Sequence, residues 1–258
     1  MSRFTRTLFI AGGLLFFLLT AGFAFRFPIA VAVWPWPDTP LSFLFLASIA
    51  AAIGAPMVWI GAANEPGAIV GGALNLGLIT VGTAIYMFVL YTQRSEPALL
   101  GIAVFSGLSF FFILAMYQWS KRFPIQDQRP TPKLVRISFG VFLIALLFAA
   151  TLLVIRFPTV FPWPLNPDSS VIFGLIFYGN SLYFLYGILR PFWNNARGQL
   201  LAFLLYDLVL IVPFFRQLAN VKPDHRVSLI LYLGVLIYSG GLAVYYLFIH
   251  PSTRDWSV

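Results

Sequence analysis

The sequence predicts an all-α fold, a polytopic membrane bundle of eight transmembrane helices arranged as two parallel four-helix repeats. Three observations lead there. Sixty per cent of the 258 residues are hydrophobic and nine per cent are charged, whereas soluble domains carry about a quarter charged residues. Eight apolar runs are each long enough to cross about 30 Å of hydrocarbon at about 1.5 Å per helical residue. The segment Pro35-Trp36-Pro37-Asp38-Thr39-Pro40-Leu41-Ser42 also returns 127 residues later as Pro162-Trp163-Pro164-Leu165-Asn166-Pro167-Asp168-Ser169. The shared pattern is P-W-P-x-x-P-x-S, and each copy follows an Arg-Phe-Pro, at Arg26 and at Arg156. Arg-Phe-Pro alone is weaker support, because Arg122-Phe123-Pro124 is a third copy at an unrelated place.

The eight runs cover residues 7–25, 41–61, 68–91, 97–119, 135–155, 170–189, 198–215 and 227–249. Lipid offers no hydrogen bonds to an open backbone, so each run is expected to be helical. The first follows Arg3 and Arg6 and resembles the start of a signal peptide. Its relative at 135–155 lies mid-chain, which favours a retained transmembrane helix. The runs divide into a first half at 1–125 and a second at 135–258, joined by a polar linker at 126–134. With the N-terminus inside, ten Lys/Arg fall in inner segments and six in outer ones. That excess places both termini in the cytoplasm and both P-W-P loops on the outer face. Four spans return the chain to its starting side, so the halves share one orientation about an axis along the membrane normal.

Proline fixes φ and keeps the preceding residue out of the helix, so the P-W-P loops are stiff and extended. Ser42 and Ser169 are expected to cap the helices that follow. Trp36 and Trp163 are expected to anchor the loops at headgroup depth, with Arg26 and Arg156 snorkelling beside them. Such loops serve as rigid interfacial caps or, alternatively, as a lid or a docking surface.

Polar side chains inside apolar runs point most directly to function, because burying charge in lipid is costly. Asp207, beside Tyr206, lies deep in the seventh run, and Asn75 takes a similar depth in the third. The three residues form a candidate ligand or proton site between the repeats. The alternative is hydrogen-bonding glue between helices, at about 0.6–2 kcal/mol. Glu65 and the stretch Asn194 to Gly198 read as turn chemistry opening the third and seventh runs. Gly67, Gly71, Gly72, Gly77 and Gly82 give the third run a smooth face for close helix contact.

Several activities are excluded. Without cysteine there are no disulfides, thiolate metal sites or cysteine nucleophiles. No lysine lies in an apolar run, which rules out a retinal Schiff base. His225 is in a loop and His250 ends the last run, so neither paired haem ligation nor a histidine metal site is expected. No H-E-x-x-H, G-x-S-x-G or P-loop occurs. The net charge of +8 sits between the runs as topology signals, so no nucleic-acid partner is expected. No cofactor is expected. The expected partners are the lipid bilayer and either another membrane protein or a second copy. Function narrows to a permease or ligand-binding membrane protein, with a non-catalytic subunit or scaffold of a larger complex as the alternative. A lipid-modifying enzyme is a weaker one.

Overall fold

In the computed structural model, which describes residues 1–254, the chain is all-helical and no described residue forms a strand. The last four residues of the second half, 255–258, lie outside the described residues. The helices are α1 (Arg3–Ala24), the single turn α2 (Pro28–Val31), α3 (Pro40–Ala63), α4 (Ile69–Arg94), α5 (Pro97–Ser120), α6 (Lys133–Val154), α7 (Pro167–Leu189), α8 (Trp193–Gln217) and α9 (Pro223–Val244). A 3₁₀ turn at Pro66–Ala68 leads into α4, and a π-turn at Tyr245–Ile249 prolongs α9. Eight of these helices are long and apolar enough to span a membrane, as befits an integral multi-pass membrane protein. Their outward faces carry bare apolar side chains, such as Phe105, Phe111 and Phe112 on α5 and Ile144 and Phe148 on α6.

Local chemistry sets the helix ends. Prolines open α2, α3, α5, α7 and α9, where the missing N–H has no intrahelical acceptor to lose. After α1, Arg26 turns left-handed (φ 53°) and the Phe27 N–H reaches back to the Gly22 carbonyl at 2.8 Å. After α6, Arg156 does the same (φ 62°), with the Phe157 N–H on the Leu152 carbonyl at 2.8 Å. The third Arg-Phe-Pro makes no such turn, since Arg122 is absent from the left-handed residues.

Three expectations about ends are corrected. Thr39, not Ser42, caps α3, and Asn166, not Ser169, caps α7. The chain turns into the helix three residues before each serine, immediately ahead of Pro40 and Pro167. Helix α8 begins at Trp193, five residues before the expected start at Gly198. Its first turn is held by Asn195, whose Nδ2 donates to the Arg190 carbonyl at 2.8 Å, and by the Trp193 N–H on the Arg129 carbonyl at 2.7 Å.

Sequential hairpins pair α1 with α3, α4 with α5, α6 with α7 and α8 with α9. Across the bundle α3 packs on α8, and α4 packs on α7. Thus each half packs its inner helices more against the other half than against one another. Close approach is allowed where side chains vanish: a Cβ on Gly71 would run into the Tyr183 ring of α7. An aromatic core fills the end bearing the P-W-P loops. Phe161 stands 4.9 Å from Phe45 and 4.7 Å from Trp163, centroid to centroid. That end is called the loop end below, and the opposite one, with residues 121–132, the linker end.

Candidate ligand site

At the loop end the two P-W-P segments converge on one carboxylate. Asp38 accepts hydrogen bonds from Trp34 Nε1 at 2.9 Å, from Ser42 Oγ at 3.0 Å and from Ser169 Oγ. Ser42 Oγ also accepts from Trp163 Nε1 at 2.9 Å. The two serines of the repeated pattern therefore meet on the same acid. Trp36 and Trp163 are buried inside the protein rather than displayed on its rim. Arg156 lies 3.4 Å from Asp168, which also receives the Tyr86 hydroxyl at 2.7 Å and pairs with Arg94 at 2.7 Å. Arg26 stays exposed beside a small apolar recess formed with Pro28 and Phe43. The buried polar side chains of this network, Ser42, Trp163, Asp168 and Ser169, are all matched within the protein, as suits a fastening.

Asp207 lies in the middle of α8, 5 % exposed. Its Oδ2 accepts from Ser239 Oγ of α9 at 2.9 Å, while its Oδ1 has no hydrogen-bond partner among the described residues. Gly240 gives it room, since a Cβ there would stand 3.3 Å from Oδ2. Tyr206 shares a hydrogen bond with Tyr232, also of α9. Asn75 takes a different neighbour: its Nδ2 donates to Asn180 Oδ1 of α7 at 2.8 Å. Asp207 and Tyr206 thus both face α9, whereas Asn75 belongs to the α4–α7 contact.

The linker end holds a cavity of about 770 Å³ between α1, α3, α8 and the linker. Ligand sites usually occupy about 300–1,000 Å³. Its depth is apolar, with Phe17, Ala55, Val58 and Leu201. Its mouth is polar, with Glu65, Asp127, Arg129, Asn194 and Arg197. Arg197 is 7 % exposed and lies between two indoles, its Cζ 6.0 Å from the Trp59 ring and 5.8 Å from that of Trp193. Such stacking suits a guanidinium, which is planar and weakly hydrated.

The linker is strapped down over this mouth. Glu65 accepts the Gln126 N–H at 3.0 Å, and Gln126 Nε2 donates to the Asn64 carbonyl at 2.9 Å. Arg129 grips Asp127 through Nε and a terminal nitrogen, and donates to the Ser252 carbonyl at 2.8 Å. The Thr131 N–H donates to the Pro191 carbonyl at 2.8 Å. The polar linker is therefore a roof fixed to the turns on either side, α3–α4 and α7–α8.

Burial pushes the Glu65 carboxyl above the ordinary carboxylate value. The Gln126 N–H, Asn194 and Arg197 pull it down, and the Asp127 charge adds to the rise. Burial acts on Asp127 in the same sense, but the hydrogen bonds and charge of Arg129 outweigh it and hold that group low. Two buried residues lining the cavity keep unmet hydrogen-bonding atoms. Trp59 Nε1 and Asn194 Oδ1 have no partner among the described residues. Among those residues no cluster of three His, Asp or Glu side chains is placed to hold a metal.

No protein-family model matches the sequence, and no match emerges among curated proteins or solved structures. The site therefore stands on its own geometry. Sequence reasoning assigned Glu65 and Asn194 to turns and Arg197 to topology, because each sits at a span boundary where those roles are usual. Arg197 carried no local signal in the sequence. It is the fifth residue of α8, and with the helix expected to start at Gly198 it fell in the preceding turn.

Proposed function

We propose that the protein is a permease or ligand-binding membrane protein whose small-molecule site is the cavity at the linker end, between its two repeats. The observation behind this is the pair Trp59 and Asn194, on α3 and α8, each buried at the cavity wall with an unmet polar atom. A buried polar group left unpaired costs about 1–3 kcal/mol, and a bound molecule of matching polarity removes that cost. The termini and linker end are assigned to the cytoplasm on the Lys/Arg bias, so the cavity opens toward the inner leaflet.

The two-repeat arrangement has support of three kinds. The helix neighbours are unchanged when the first four spans are exchanged with the last four, since α3 on α8 becomes α7 on α4. Arg26 and Arg156 make the same left-handed turn with the same reach-back hydrogen bond. Pro40 of α3 matches Pro167 of α7 as first helical residue. In that register Ala55, Val58 and Ala62 of the cavity wall correspond to Leu182, Leu185 and Leu189 of α7. The first half thus carries small residues where the second carries large ones. A pair of equal helices serving only as scaffold has no need of that difference.

The test borrows the second half's own solution. Ala55→Leu and Ala62→Leu should fill the cavity with side chains the repeated wall already accommodates. Native mass spectrometry of protein released from nanodiscs should show a bound small molecule on the wild type and none on the double variant. A folded double variant carrying the same bound mass, or a wild type carrying none, would refute the site.

A further inference from the structure

We infer that the ligand is a single-chain anionic amphiphile, whose carboxylate or phosphate head lies by Arg197 and Trp59 and whose chain runs along α3 toward Ala55. The inference rests on the cavity being the ligand site, and it names the ligand's class.

The cavity is polar at one end only. From the level of Ala62 to that of Ala55 the α3 wall rises about 10 Å at 1.5 Å per residue, and Val58 and Ala55 along it offer no hydrogen bond. Phe17 of α1 and Leu201 of α8 close the other sides. A wholly polar solute would leave that depth dry and unfilled, and a wholly apolar one would leave the mouth unmatched. A molecule with one head and one chain satisfies both ends.

The sign of the head follows from the groups at the mouth. Asp127 is already gripped by Arg129 through two nitrogens. Glu65 already accepts the Gln126 N–H. Trp59 Nε1 is an unmet donor, and a tryptophan N–H can only donate. Beside it stands the Arg197 guanidinium, within cation–π distance of two indoles, a planar cation of the kind that pairs with carboxylate and phosphate. The mouth therefore sets one unmet donor beside a cation, an arrangement that suits an oxyanion. Asn194 Oδ1, the unmet acceptor nearby, suits a hydroxyl next to the anionic group, as on a glycerol backbone.

The test uses the whole protein in phosphatidylcholine nanodiscs with tritiated oleoyl lysophosphatidate, read by scintillation proximity against empty nanodiscs. Competitors are unlabelled lysophosphatidate, oleoylglycerol with the same chain and no charge, and inorganic phosphate with the charge and no chain. Lysophosphatidate should compete at least tenfold better than oleoylglycerol, and phosphate should not compete at millimolar concentration. Trp59→Phe, which keeps a ring against Arg197 and deletes the N–H, should weaken binding several-fold. Ala62→Leu should abolish it. Oleoylglycerol competing as well as lysophosphatidate, with Ala62→Leu still blocking both, would overturn the anionic class and leave the cavity as the site. Phosphate competing as well as the lipid would overturn the amphiphile in favour of a free oxyanion. Lysophosphatidate binding unchanged by Ala62→Leu would overturn the cavity itself.

Discussion

Removing the Asp38 carboxylate should loosen the hold of the 162–169 loop on α3. Three donors converge on this acid, and two of them, Ser42 and Ser169, are fully buried. A hydrogen bond to a charged acceptor contributes about 1.5–3 kcal/mol. A helical hydroxyl recovers part of that by turning to a carbonyl one turn back. With half recovered for each serine, and a smaller loss at the half-buried Trp34, Asp38→Ala should destabilise the protein by about 2–4 kcal/mol. For a chain of this size that is a fall of about 5–15 °C in the unfolding midpoint. Asp38→Asn keeps one acceptor oxygen and should lose about half as much. In a double-mutant cycle, Asp38→Ala and Ser169→Ala should show a coupling of about 1–2 kcal/mol. Thermal unfolding in mild detergent, followed by circular dichroism, reads the wild type and all four variants. A midpoint for Asp38→Ala within 1 °C of wild type would refute the fastening role.

Neighbouring glycines should respond oppositely. Gly71→Ala drives a Cβ into the Tyr183 ring and should cost about 1–3 kcal/mol, whereas Gly72→Ala meets nothing within 4 Å and should gain up to about 1 kcal/mol from helix propensity. Thermal unfolding separates the two. Glu65 should make stability depend on pH. Its folded pKa lies above the unfolded value, chiefly through burial, so its contribution is fully present below the ordinary pKa of about 4.3 and is lost as pH rises through the folded value. The midpoint should fall as pH rises above the ordinary carboxylate value, and Glu65→Gln should flatten the change; an equal fall in that variant would assign the dependence elsewhere. The chain has no cysteine, so single cysteines report topology cleanly. An impermeant maleimide added to intact cells should label Ser95→Cys and spare Gln128→Cys, and the reverse pattern would invert the orientation.

The spans were legible because lipid allows few solutions. Runs such as 97–119 and 170–189 differ from Pro97–Ser120 and Pro167–Leu189 by three residues at most, and proline marks where each helix opens. The start of α8 was not legible, because Asn194 and Asn195 favour turns locally, and the Arg129 carbonyl that takes the Trp193 N–H at the helix start is brought in by tertiary packing. The P-W-P repeat gave a register, but nothing local shows that Ser42 and Ser169 share Asp38 across 131 residues of chain. Asp207 stood out because charge in lipid is rare, and its hydrogen bond is a plain one to the neighbouring helix. The cavity stayed hidden because Ala55, Val58 and Ala62 are unremarkable in an apolar run. They become informative only when laid against the leucines of α7.

Ala62→Cys offers the most direct test of a ligand in the cavity. Residue 62 lines the cavity and is exposed, and Ser95 at the loop end serves as the control position. In nanodiscs, a small maleimide should label both cysteine variants, and saturating oleoyl lysophosphatidate should slow labelling at 62 at least tenfold while leaving 95 unchanged. Equal labelling rates at 62 with and without the lipid would contradict a ligand seated between α1, α3 and α8.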